Sequence, residues 1–156
     1  MLTRLLPDQI AQFWPVIKNA IEQSLPPIVG DHPDKMNRIL SSALSNNIDV
    51  WASYEREGEL SRFEGILVTK FIYDDARDTR SLLLYCLYGY DLVTNKSWVS
   101  GLETMLKYAV EKRCSQILAY SELPNLIELA AKLGAKTNYT FISFNVNESV
   151  KLLNGL

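Results

Sequence analysis

Apolar residues recur along the chain in two rhythms, and the changes between them mark out its elements. Residues 2–6 suit a short first strand. Pro7 and Asp8 then open a helical stretch with Ile10, Phe13, Trp14, Ile17 and Ile21 at helical spacing, closed by Pro26 and Pro27. Pro15 lies inside this stretch and predicts a late start or a bend, because proline lacks an amide donor. A second helix is predicted over 33–46, with Met36, Ile39, Leu40, Ala43 and Leu44 on one face.

The rhythm then shortens. Strands are predicted over 48–55 and 63–73, antiparallel to one another and joined by the loop REGELSR, whose Gly58 and charges suit a hairpin. The loop DDARDTR, residues 74–80, leads to SLLLYCLYGYD, residues 81–91, whose unbroken apolar character predicts a central strand. Helical spacing returns over 98–113 through Leu102, Met105, Leu106, Ala109 and Val110, with Lys112 and Arg113 at the negative end of the dipole. A short buried strand, QILAYS (116–121), is followed by a helix over 124–133 that Gly134 stops, and then by TNYTFISFNV (137–146) as a last long strand. This order predicts one α/β (α+β mixed) domain over 1–156, its sheet antiparallel at the front and parallel at the centre.

Composition removes several classes of function. A chain of 156 residues, 47% apolar and 22% charged, is long enough to bury a core without metals or disulfides. Sixteen basic against eighteen acidic residues leave a net charge of −2, so there is no field to attract nucleic acid. No apolar run approaches the roughly 18 residues that span a bilayer, and MLTRLLPDQIAQ turns polar too early for a secretion signal. A soluble cytoplasmic protein without a membrane partner is expected. Cys86 and Cys114 lack both Cys-x-x-Cys spacing and a neighbouring histidine, which predicts buried thiols and no metal. His32 is the one histidine and lies in the turn-like GDHPD, so a Ser-His or Cys-His pair would have to recruit it from a loop.

The remaining chemistry centres on YGYDLVTNKSWVSG, between the third strand and the helix after it. Backbone N–H groups converge at a helix N-terminus, where the dipole favours an anion. The element order, ending in LIELAAKLGAKTNYTFISF, where a helix closes on Lys-Leu-Gly before a strand, resembles the GNAT superfamily of acetyl-CoA-dependent N-acyltransferases over nearly the whole chain. The N-terminal Phe-Trp-Pro-x-Ile helix is similar to that of compact GNAT-like proteins of tailed phages.

The resemblance implies a GNAT-like central mixed sheet of six to seven strands flanked by about four helices. It also implies acetyl-CoA or another acyl-CoA as co-substrate and a small-molecule or protein amine as acceptor, and it allows a homodimer. The pantetheine arm would lie along the central strand at Leu87, Tyr88 and Gly89. The family's pyrophosphate pattern falls on Lys96-Ser97-Trp98-Val99-Ser100-Gly101, which makes Lys96 and Gly101 candidate cofactor residues and puts Val99 in place of the first glycine. Leu123 and Ala130 stand where the family often has asparagine and an acid tyrosine; Asn125 is the nearby candidate for the first. Tyr139 and Tyr120 are the candidate proton donors, and Glu122, Glu64 and Asp91 are the carboxylates near strand ends. In a regular strand Tyr88 and Tyr90 share one face and Tyr85 takes the other. The implied activity is N-acyl transfer; the alternative is a catalytically degenerate GNAT-like binding or virion-associated protein.

Overall fold

The computed structural model describes residues 1–89 and 93–156, in two compact units, Met1–Tyr120 and Ser121–Leu156. The first unit runs β1 (Leu2–Arg4), α1 (Pro7–Gln12), α2 (Trp14–Gln23), α3 (Lys35–Leu44), β2 (Asp49–Glu57), β3 (Leu60–Asp74), β4 (Thr79–Gly89), α4 (Asn95–Glu111) and β5 (Cys114–Ala119). Its sheet has the order β1-β2-β3-β4-β5, antiparallel through β4 and parallel between β4 and β5. Two cores cover its faces. Ile17, Ile21, Met36, Ile39 and Ala43 from α2 and α3 bury Val50, Ala52, Ile66, Val68 and Cys86, while Met105, Tyr108 and Ala109 of α4 bury Trp51, Leu67 and Leu82.

Among the described residues there are five strands and six helices, against the expected six to seven and about four. Three local causes account for the difference. The single N-terminal helix is two: Phe13 N–H closes α1 on the Gln9 carbonyl, and α2 restarts with Pro15 in its first turn, where a missing donor costs nothing. The segment 137–146 forms no ladder, and Tyr139, Ile142 and Phe144 are exposed. Its apolar residues suit a strand, but a strand needs a partner, and no described segment supplies one. Finally, Asn145 accepts a hydrogen bond from the Glu148 N–H at 3.1 Å and starts α6 (Val146–Asn154), which follows α5 (Pro124–Lys132) in the second unit. The Gly134 stop is found as expected, at φ +93°, with the Ala135 N–H returning to the Ala130 carbonyl.

Both hairpins are tighter than expected. β2 and β3 pair out to Glu57↔Leu60, so most of REGELSR is strand and the turn is Gly58 and Glu59, with Gly58 at φ +65°. Its charges bond across the ladder: Arg62 Nη2 donates to Glu55 Oε2 at 2.8 Å, and Arg62 Nε lies 3.2 Å from Glu57 Oε1. β3 likewise runs to Asp74 and β4 starts at Thr79, which shortens the DDARDTR loop; Tyr73 donates to the Asp78 carboxylate across that turn.

Candidate active site

β4 pairs with β3 along its length but with β5 only from Arg80↔Cys114 to Leu84↔Ala119. Residues 86–89 therefore belong to a ladder on the β3 side alone among the described residues. The strands part at an irregularity: Val68 faces Cys86 and Thr69 faces Leu84, which leaves Tyr85 as an extra residue in β4. A bulge shifts the alternation by one. Tyr85 and Tyr88 consequently both pack on the α1–α3 side, with Leu84 and Leu87 on the α4 side, which corrects the expectation that Tyr85 and Tyr88 take opposite faces. Tyr88 donates to Gln23 Oε1 of α2 at 3.3 Å, and Tyr90 lies outside the described residues.

The open end of β4 leads toward the start of α4. Thr94 caps that helix, with its Oγ1 accepting from the Ser97 N–H at 3.2 Å, so α4 begins at Asn95, three residues before the expected Trp98. The segment 96–101 is accordingly helix, not loop. Lys96 and Val99 are exposed on its first two turns, and a Cβ at Gly101 would meet no atom within 4 Å. Space for the chain itself therefore does not explain Gly101. The close approach lies at Gly65, paired with Gly89, where a Cβ would collide with the Tyr88 carbonyl and lie 3.2 Å from the Gly89 Cα.

No family model matches the sequence, and no curated protein matches it. Solved structures do. A predicted acetyltransferase from Clostridium acetobutylicum, solved with acetyl-CoA, is similar with a TM-score of 0.65 at 15% identity, over 95% of this chain and 97% of that one. A ribosomal-protein-alanine N-acetyltransferase from Brucella melitensis biovar Abortus 2308 is similar at 0.63 and 11%, over 93% and 99%. An aminoglycoside acetyltransferase from an uncultured soil metagenomic sample, in complex with sisomicin, is similar at 0.63 and 12%, over 92% and 93%. The chain has the GNAT fold.

Within this GNAT fold, one carboxylate is placed differently from any surface residue. Glu64, expected near a strand end, is buried at 4% exposure. It falls at the break in the β2–β3 register, where Ser53 faces Gly65 and Tyr54 faces Phe63. Ser53 Oγ donates to its Oε2 at 2.9 Å and Ser97 Oγ to its Oε1 at 3.0 Å, tying β2, β3 and the first turn of α4 together. A buried carboxylate needs such donors. Nearby, the Arg62 guanidinium holds the Glu55 carboxyl below its usual range, and the charge of Lys96 acts in the same direction.

The other candidates distribute as follows. Leu87, Tyr88 and Gly89 occupy the open end of β4, and Lys96 and Gly101 the first turns of α4. Tyr120 follows Ala119 directly, so it stands half-buried at the point where β4 and β5 part. Glu122, Asn125 and Tyr139 belong to the second unit and are exposed, Tyr139 to 78%. Asp91 lies outside the described residues. Sequence reasoning missed the Glu64–Ser97 bond; Thr94, a residue type favoured at the N-cap, was the available signal for the earlier helix start.

Proposed function

We propose that the chain is an N-acyltransferase of the GNAT type that moves an acetyl or other acyl group from acyl-CoA to an amine. The observation that carries this reading is the one-sided ladder of residues 86–89, an extended backbone edge that begins just after the Tyr85 bulge and leads toward the first turn of α4. Such an edge accepts an amide-bearing pantetheine arm as a further strand, at Leu87, Tyr88 and Gly89. Lys96, with the N-terminal amides of α4, supplies positive charge for the diphosphate. When bound, the thioester supplies an activated acyl carbon. The chain's part would be to hold that carbon beside a neutral amine, to support the developing oxyanion with a backbone N–H of β4 beyond Leu84, and, as the C–N bond forms and the C–S bond breaks, to give the thiolate a proton from Tyr120, which the proton lost by the acylated nitrogen replaces.

Titration calorimetry with acetyl-CoA tests the reading. Binding is expected, weakened about tenfold by Lys96→Glu, and release of free CoA is expected once a suitable amine is added. Absence of binding at millimolar acetyl-CoA would overturn it. One observation favours a second reading, a GNAT-fold binding protein without transfer: Thr94 Oγ1 already occupies the Ser97 N–H, and the first turn of α4 contains no glycine. Binding of acetyl-CoA without CoA release across an amine panel would select that reading.

A further inference from the structure

Between α3 and the sheet lies a cavity of about 130 Å³ lined by Arg38, Ile39, Ser42, Ile48, Lys70 and Tyr85. A single water needs only ~10–15 Å³, so this one has room for a small polyatomic group. Its base is apolar and buried, through Ile39 and Ile48, while Arg38 and Lys70 are exposed. Two residues of positive charge thus line one small volume. No ion pair or hydrogen bond joins the Arg38 guanidinium, the Lys70 ammonium, the Ser42 hydroxyl or the Tyr85 hydroxyl to any described residue. Like charges that line one opening repel one another, weakly where they are exposed to water; among the described residues no carboxylate is paired with either, whereas Lys18, Lys35, Lys107 and Lys132 have acidic neighbours.

The position adds to the chemistry. Tyr85 is the bulged residue of β4, so its backbone stands where the open edge begins and its side chain lines the cavity. We infer that the cavity receives an anionic group of the acceptor amine, with Arg38 and Lys70 as its counter-charges and the Ser42 and Tyr85 hydroxyls as donors. This rests on the acyltransferase reading and narrows it. The acceptor is an amine that also bears a carboxylate or a phosphate, as an amino acid or an aminoalkyl phosphate does. Arg38 offers a fork to such a group and Lys70 a point charge. The anion would hold the acceptor while its amino group reaches the acyl carbon at the bulge.

Two measurements test the inference on the full chain. In the first, inorganic phosphate and glutarate are titrated by calorimetry against the wild type, Arg38→Gln, Lys70→Gln and the double variant, with Lys107→Gln as a control on α4. Both substituted positions are exposed, so the variants are expected to fold, and circular dichroism checks this. Each single change is expected to weaken anion binding about tenfold and the double change to abolish it, with the control unaffected. In the second, CoA release is compared between β-alanine and propylamine, and between phosphoethanolamine and ethanolamine; the charged member of at least one pair is expected to have a KM about tenfold lower. The pair that shows the difference separates carboxylate from phosphate. Absence of anion binding by the wild type, or binding that survives the double change, would overturn the inference. An acetyl-CoA titration run alongside keeps the two claims apart: anion binding without acetyl-CoA binding sinks the transferase reading and leaves an anion site, and the reverse sinks only the inference.

Discussion

Leu84 faces Ala119 as the last rung of the β4–β5 ladder, and the next residue along the chain from each is a tyrosine, Tyr85 and Tyr120. The two strands thus part where each is followed by a tyrosine, with the Tyr85 side chain turned to the α1–α3 side of the sheet.

Gly65 lies opposite Gly89 where the open end of β4 is held to β3. Alanine there would place its Cβ against the Tyr88 carbonyl, a backbone atom that cannot swing away. Gly65→Ala is expected to cost about 1–3 kcal/mol in urea unfolding and to weaken acetyl-CoA binding, since it displaces the same stretch of β4. Unchanged stability would mean that the two strands are not held as closely as described.

Arg113 follows α4 at φ +58°, a left-handed conformation that glycine adopts without strain. Arg113→Gly is expected to raise stability by about 0.5–1 kcal/mol, and the melting temperature by about 1–4 °C. A lower melting point would contradict the assignment.

The two thiols should react at very different rates. Burial pushes the Cys86 thiol up to about 12, while Cys114 is half-buried at the start of β5 and raised less. With an aromatic disulfide reagent near neutral pH, Cys114 is expected to react first and Cys86 only after unfolding. Two thiols titrating together in the native protein would refute the placement of Cys86.

Tyr108 of α4 is 7% exposed, donates to Asp49 Oδ2 at 2.8 Å and meets Trp51 edge-on at 4.9 Å. Burial, with the Asp49 carboxylate second, pushes its phenol up to about 12 from the ordinary 10. A raised folded-state value means that the neutral phenol stabilises the fold fully below pH 10, and that this contribution is lost as the pH rises from 10 through 12. Unfolding free energy should fall more steeply over that range in the wild type than in Tyr108→Phe. Parallel curves would exclude a linkage at this residue.

How legible was this in the sequence? The first four strands, the Gly134 stop and the antiparallel-then-parallel order were visible because periodicity reports burial. The helix faces were only partly so: on α4 Met105 and Ala109 are buried as expected, whereas Leu106 and Val110 are exposed and Tyr108 takes their place, and β5 is mostly exposed where a buried strand was expected. Charge misled at the hairpins. Glu57 and Arg62 read as part of a hairpin loop, whereas the Arg62 guanidinium pairs across a ladder with the carboxylates of Glu57 and of Glu55, which no linear pattern displays. The two register breaks were equally hidden, because an extra residue in a strand alters no composition. They put Glu64 within the interior and turned Tyr85 to the side of Tyr88. At 137–146 the alternation was present but the partner was not, so strand character in the residues did not become a strand.

The bulge at Tyr85 also says how this site could be lost or acquired in evolution. Substitutions along β4 would change the lining of the cavity or the apolar packing one position at a time, and most would leave the fork between β4 and β5 in place. Deleting a single residue at 85 would instead return the strand to strict alternation and turn the face of every residue on one side of the deletion relative to the other, exchanging cavity lining for core. The separation of the two faces is therefore written in the number of residues rather than in their kinds, and a comparison of sequences that counts only substitutions would pass over the change that matters most.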